Sequence, residues 1–172
     1  MGTDKALVEV DGVPMAKRVA DALLEGGCEE VVCVGGDAAA LERLGLQTTP
    51  DGHPGEGPLG GVLTALEDAE RAQHQFAVIS ACDHPWLTDE AVADLITGVM
   101  VGGEVAQAGV TDGARPPLFF AATVHPTLDL VRDLFARGER SLRWMGARLR
   151  VFSVNTIPPE VLRDVDSPED LP

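Results

Sequence analysis

The stretch 76-FAVISACDHPWLTDEAVADL-95 decides the fold. Residues 76–81 are a short apolar run bounded by Cys82, Asp83, His84 and Pro85, so they read as a buried strand ending in a turn. Thr88 then stands where a helix N-cap belongs, with Asp89 and Glu90 at the favourable end of the dipole. A buried strand that runs through an acidic turn into a capped helix is half of a βαβ unit. Upstream the pattern repeats. Residues 14–25 put Met15, Val19, Ala22 and Leu23 on one helical face and stop at Gly26 and Gly27. Residues 31–34 read as a strand ending at Gly35 and Gly36. Asp37 caps a short helix to Leu44, closed by Gly45. Residues 46–49 read as a brief strand, residues 51–58 (DGHPGEGP) as a loop, and residues 59–69 as a helix. This alternation predicts an α/β chain with a mostly parallel sheet and helices on both faces.

Downstream the pattern is less regular. Residues 105–110 and 117–122 flank Thr111, Asp112 and Gly113, a hairpin signal. Residues 126–137 are amphipathic through Leu128, Val131, Leu134 and Phe135. Residues 149–154 read as another strand, and Ser167 and Pro168 open a last capped segment. We expect one domain spanning 1–172, a usual domain size.

The chain carries 13 Lys and Arg against 28 Asp and Glu, a net charge of −15. Such a body repels a phosphate backbone, so no nucleic-acid partner is expected. A small phosphorylated ligand is compatible if a local cation and Mg2+ offset the field. No apolar run approaches the ~18–20 residues of a membrane span, so no membrane partner is expected. Cys28, Cys33 and Cys82 are odd in number and lack metal spacing. They read as reduced thiols, which fits a cytoplasmic setting.

In open α/β sheets ligands bind beyond the carboxyl ends of the strands, so residues just after each strand carry the candidate chemistry. Asp83 ends the 76–81 strand and is placed either to hold a divalent metal or to bond turn amides. Asp51 opens the Gly-rich loop, as a ligand contact or as a turn former. Gly57, Pro58, Leu59, Gly60 and Gly61 start a helix whose small residues let a backbone approach a ligand closely. Lys5 is a candidate phosphate contact or a solvated charge. Asp164 and Asp166 suit a metal or a cap, the cap being favoured for Asp166. Six of the arginines, Arg140 among them, fall between Arg132 and Arg150. They form either an anion site or exposed helix faces. His53, His74, His84 and His125 show no metal spacing. G-x-S-x-G, C-x-x-C and H-E-x-x-H are absent, which disfavours hydrolase and zinc chemistry.

Six segments occur in order: M-G-T-D-K-A-L (1–7), D-G-V-P-M (11–15), G-P-L-G-G-V-L-T-A-L (57–66), A-C-D-H-P-W-L (81–87), G-E-R-S-L (138–142) and D-V-D-S-P-E-D-L (164–171). Their order and spacing resemble the molybdenum cofactor guanylyltransferases, within the larger group that includes sugar-nucleotide pyrophosphorylases. G-P-L-G-G and C-D-H-P favour the guanylyl over the cytidylyl branch. The resemblance implies a Rossmann-like nucleotidyltransferase fold. It implies transfer of GMP from GTP to the molybdopterin-bound cofactor, with release of pyrophosphate. By the same pattern Lys5 contacts the GTP phosphates, Asp83 holds Mg2+, Asp51 and Gly60 help hold the nucleoside, and Arg140 faces the pterin side. GTP, molybdopterin and molybdoenzyme maturation proteins are the partners implied.

The family's usual opening is an apolar strand followed by L-A-G-G-x-S-x-R-M-G. Here only its final Met-Gly corresponds, at Met1 and Gly2. We therefore expect Met1 to be an internal methionine of a longer protein, and the absence of a central strand to leave a hole in the core. The family's Asn after the second strand is replaced by Gly35 and Gly36, which leaves a guanine-side contact open. The alternatives are a cytidylyl- or sugar-phosphate nucleotidyltransferase, or a non-catalytic nucleotide or pterin binder lacking the Gly-rich loop.

Overall fold

The structure, a computed structural model, describes residues 4–109, 117–142, 148–166 and 170. A 3-10 turn at Lys5–Leu7 leads into a hairpin, β1 (Glu9–Val10) and β2 (Val13–Pro14). Then come α1 (Met15–Glu25), β3 (Val32–Val34), α2 (Ala38–Arg43), β4 (Gln47–Thr49) and α3 (Pro58–Arg71). β5 (Phe76–Ser80), α4 (Asp89–Val101), β6 (Val105–Ala108), β7 (Phe119–Thr123), α5 (Val124–Ala136), β8 (Val151–Val154) and a 3-10 turn at Pro159–Leu162 complete the order. The expected βα units form, and Thr88 caps α4 by accepting from the Ala91 amide. The expected turn at Thr111, Asp112 and Gly113, Arg143, and the helix start at Ser167 and Pro168 lie outside the described residues.

Two strand groups build the sheet. β3 and β4 pair in parallel, with Val32 opposite Gln47. The larger group has the order β5-β7-β6-β8. There β5, β6 and β8 run one way and β7 runs against β5 and β6, as a β6–β7 hairpin requires. The sheet is therefore mixed. Helices cover both faces because side chains alternate along each strand. Phe119, Ala121 and Ala106 pack with α1 and α4 through Val19, Leu23, Val92 and Leu95. Their neighbours Phe120, Ala122 and Val105 pack with α3 and α5 through Leu59, Leu66, Leu128 and Val131. Phe119 and Phe120 are both fully buried, so this one dipeptide anchors both layers.

Between β3 and β5 lies a gap. The two strands do not pair with each other. A cavity of about 850 Å³ separates them, walled by β3, β5, Val19 and Leu23 of α1, and Val62 and Ala65 of α3. The core thus has a hole, as expected. Across the amino ends of the two strands, His74 Nε2 stands 2.5 Å from Glu30 Oε1.

The β1–β2 hairpin was not anticipated. Asp11 and Gly12 adopt φ of 52° and 76°, the positive pair of a two-residue hairpin turn. Asp-Gly between Val10 and Val13 is the signal that predicts it. Its function is positional: Val10 and Met15 bury Val165 in a small cluster beside Val8 and Trp86, which fixes the carboxyl-terminal segment against the first one.

Candidate active site

Asp83 stands just beyond β5, on a turn tied down from both sides. Ala81 donates its amide to the Leu118 carbonyl at 2.8 Å, and Val165 donates its amide to the Asp83 carbonyl at 3.0 Å. The second bond carries Asp166 to the same place. Lys5 reaches both acids: its Nζ is 2.6 Å from Asp166 Oδ1 and 4.0 Å from Asp83 Oδ2. The hydrogen bond to Asp166, helped by the charges of Asp166 and Asp83, holds the Lys5 ammonium above its ordinary pKa. It is therefore a cation at any physiological pH.

The backbone under Lys5 is braced. Asp4 caps the 3-10 turn by accepting from the Ala6 amide at 3.1 Å, and its other oxygen accepts from the Asp37 amide at 3.0 Å. This joins the first segment to the end of β3, where Gly35 and Gly36 both have positive φ, 72° and 77°. A side chain there would be strained, and a Cβ on Gly36 would meet Asp4 Oδ2 at 3.0 Å.

Asp51 stands beside the same glycines: a Cβ on Gly35 would lie 3.3 Å from its own Cβ. Asp51 Oδ1 accepts from the His53 amide at 2.8 Å and lies 3.3 Å from the Thr64 hydroxyl. That hydroxyl accepts from the Gly52 amide and donates to the Gly60 carbonyl or to Asp51. Asp51 Oδ1 thus forms the turn, as one of its two readings holds. Gly60 is needed for packing. A Cβ there would stand 3.0 Å from His53 Cβ and 3.1 Å from the His53 carbonyl.

Arg140 fastens this loop from the far side. Its Nε donates to Glu56 at 2.5 Å, and Nη1 donates to the carbonyls of Phe135 at 2.9 Å and Glu139 at 2.8 Å. The guanidinium lies 4.0 Å over the Phe135 ring, which also stacks with His53. The Arg140 carbonyl accepts from the Leu59 amide at 3.3 Å, at the first turn of α3.

His84 is buried, and its Nδ1 has no hydrogen-bond partner among the described residues. Burial lowers its pKa against the pull of Asp83 and Asp164, so the imidazole is neutral near pH 7. Burial, reinforced by Asp83, pushes the Cys82 thiol up to about 11. Neither group is a charged participant.

The structure thus makes two adjoining clusters. Lys5, Asp83 and Asp166 form one; Asp51, Gly60 and Arg140 belong to the other, and Asp4, Gly35 and Gly36 bridge them. The helix that Asp166 would cap begins outside the described residues; within them its carboxylate meets Lys5. A sequence signal for it existed in Asp164 and Asp166 themselves, but nothing in the spacing named Lys5 as the partner. Two hard carboxylates converging on one cation suit Mg2+, which takes one or two carboxylates and completes its shell with phosphate and water. The described residues hold no group of three or more His, Cys, Asp and Glu able to ligate a metal.

The βα order, with Lys5, Asp83 and Asp166 meeting beyond the carboxyl end of β5, belongs with the family match to a nucleotidyltransferase. The chain belongs to the MobA-like NTP transferase domain family, whose model matches residues 1–150. It is similar to a probable molybdenum cofactor guanylyltransferase of Deinococcus radiodurans, 31% identical over 99% of this chain and 84% of that protein. It is equally similar to a molybdenum cofactor guanylyltransferase of Cereibacter sphaeroides, 31% identical over 99% of this chain and 86% of the other. Among solved structures the fold matches molybdopterin-guanine dinucleotide biosynthesis protein A of Archaeoglobus fulgidus, with TM-score 0.74, 20% identity, and 98% and 87% of the two chains covered. The 4-diphosphocytidyl-2C-methyl-D-erythritol synthase of Anaerococcus prevotii shares the fold at TM-score 0.77 and 10% identity, covering 94% and 84%.

Proposed function

We propose that this protein transfers GMP from GTP to the molybdopterin-bound cofactor in the cytoplasm and releases pyrophosphate. A phosphate oxygen of molybdopterin attacks the α-phosphorus of GTP. The bond from that phosphorus to the bridging oxygen breaks, and its electron pair leaves with pyrophosphate. Such chemistry needs positioning and charge neutralisation more than covalent catalysis. Lys5 supplies the ammonium that grips the triphosphate. Asp83 and Asp166 would hold Mg2+, which would supply positive charge against that developing at the α-phosphate. Asp51 Oδ2 and the backbone at Gly35, Gly36 and Gly60 receive the nucleoside. Arg140 positions the 51–57 loop between nucleoside and pterin. Among the described residues no helix is long and apolar enough to cross a membrane.

One observation carries this proposal: Lys5 Nζ sits against Asp166 at 2.6 Å and within 4.0 Å of Asp83, in a chain whose relatives bear the guanylyltransferase name over nearly all its length. The test is calorimetry with GTP, CTP, ATP and UTP, each with Mg2+, followed by pyrophosphate release with molybdopterin as acceptor. GTP is expected to bind in preference to the others, and Asp83→Ala to abolish turnover. Tighter binding of CTP would move the protein to the cytidylyl branch. Full turnover by Asp83→Ala would remove the metal assignment.

A further inference from the structure

We infer that Lys5 occupies the metal's seat in the nucleotide-free protein, so that the divalent ion enters with the nucleotide and not before it. This rests on the assignment of Asp83 and Asp166 as the metal-holding pair. Lys5 Nζ makes its closest contact, 2.6 Å, with one of those two carboxylates and stands 4.0 Å from the other. A Mg2+ ion bound by the same oxygens would lie about 2.0–2.1 Å from each. The ammonium and the ion compete for the same space and for the same negative charge.

The two carboxylates are brought together by the fold, not by Lys5. The Val165 amide bonds the Asp83 carbonyl at 3.0 Å, the Asp166 amide bonds Asp170 Oδ2 at 3.0 Å, and Val165 is buried with Val10 and Met15. Lys5 is the member with the longer reach. Asp4 fixes its backbone, but its side chain is 36% exposed and ends in four rotatable methylenes. In a protein of net charge −15, two adjacent carboxylates left without a cation would repel each other. Lys5 provides that cation at rest. A triphosphate arriving beside it offers the ammonium a stronger partner, so Lys5 swings to the phosphates and the pair opens to the metal. Nucleotide and metal then favour each other's binding, and the coupling is reciprocal.

The experiment titrates Mn2+, a spectroscopic substitute for Mg2+, by electron paramagnetic resonance. Wild type, Lys5→Met, Lys5→Gln and Asp166→Asn are compared, each with and without GTP, and thermal melts verify folding. Without GTP, Lys5→Met and Lys5→Gln are expected to bind Mn2+ at least about fivefold tighter than wild type, the scale of the ~1 kcal/mol between unit charges about 4 Å apart in water. GTP is expected to strengthen Mn2+ binding strongly in wild type and much less in the two Lys5 variants. Asp166→Asn is expected to weaken binding in both conditions. Equal or weaker Mn2+ binding by the folded Lys5 variants without GTP overturns the inference, while weaker Mn2+ binding by Asp166→Asn than by wild type leaves the metal pair standing. Failure of wild type to bind Mn2+ even with GTP overturns both.

Discussion

Replacing Arg140 by Ala separates two roles for this side chain: fastening the 51–57 loop, or touching the acceptor. The structure gives the magnitude for the first. The ion pair with Glu56 joins side chains that are 38% and 49% exposed, so it contributes less than about 1 kcal/mol. The two bonds to the Phe135 and Glu139 carbonyls are worth about 0.5–1.5 kcal/mol each. The guanidinium over Phe135 adds about 0.5–1 kcal/mol at an exposed site. The variant is expected to lose about 2–3 kcal/mol in all. For a chain of this size that lowers Tm by about 5–10 °C. The KM for GTP should rise with it, because the loop that carries Asp51 and abuts Gly60 loses its outer support. Thermal melts and steady-state kinetics with each substrate varied in turn provide the readings. An unchanged Tm with a raised KM for the acceptor alone would refute this account and make Arg140 a pterin contact.

Gly60→Ala adds a methyl group at 3.0 Å from His53 Cβ and 3.1 Å from its carbonyl. The backbone carbonyl cannot step aside as a flexible side chain would, so GTP affinity should fall about tenfold or more in calorimetry, the scale of ~1.4 kcal/mol; unchanged affinity would show that the loop tolerates the shift. Cys82, with its thiol pushed up to about 11, should be alkylated by iodoacetamide at pH 8 about a hundredfold more slowly than an ordinary cysteine. Peptide mass spectrometry reading a rate like that of a free thiol would contradict its burial. Amides of β3 and β5 that face the cavity should exchange with deuterium faster than those of β7, which pairs on both sides. Equal protection would mean that the gap is closed in solution.

What the sequence made legible, and what it did not, follows the range of the forces involved. The βα units are written locally. Short apolar runs end at Gly35, Gly45 and Asp83, and caps such as Asp37 and Thr88 sit within three residues of the amides they accept from. The gap between β3 and β5 was also foreseeable, because a doubly wound sheet needs a neighbour on both sides of each inner strand. The Lys5–Asp166 contact spans 161 positions and depends on Val165 finding the Val10 and Met15 cluster, which no spacing rule encodes. The described arginines between Arg132 and Arg150 show a second limit, because their partners are not set by spacing alone. Read along the chain they are a cationic excess suited to an anion. In space Arg132 meets Glu67 and Glu70, Arg137 and Arg148 meet Asp133, Arg140 meets Glu56, and Arg150 meets Glu104. In a body of net charge −15 the cheapest partner for an arginine is a carboxylate the chain already carries. A cation reserved for a substrate must therefore be one that the substrate can win from its resident acids. On the function proposed above Lys5 meets that condition: its resident acids are the pair assigned to the metal, so releasing it to a phosphate would leave no carboxylate unpaired.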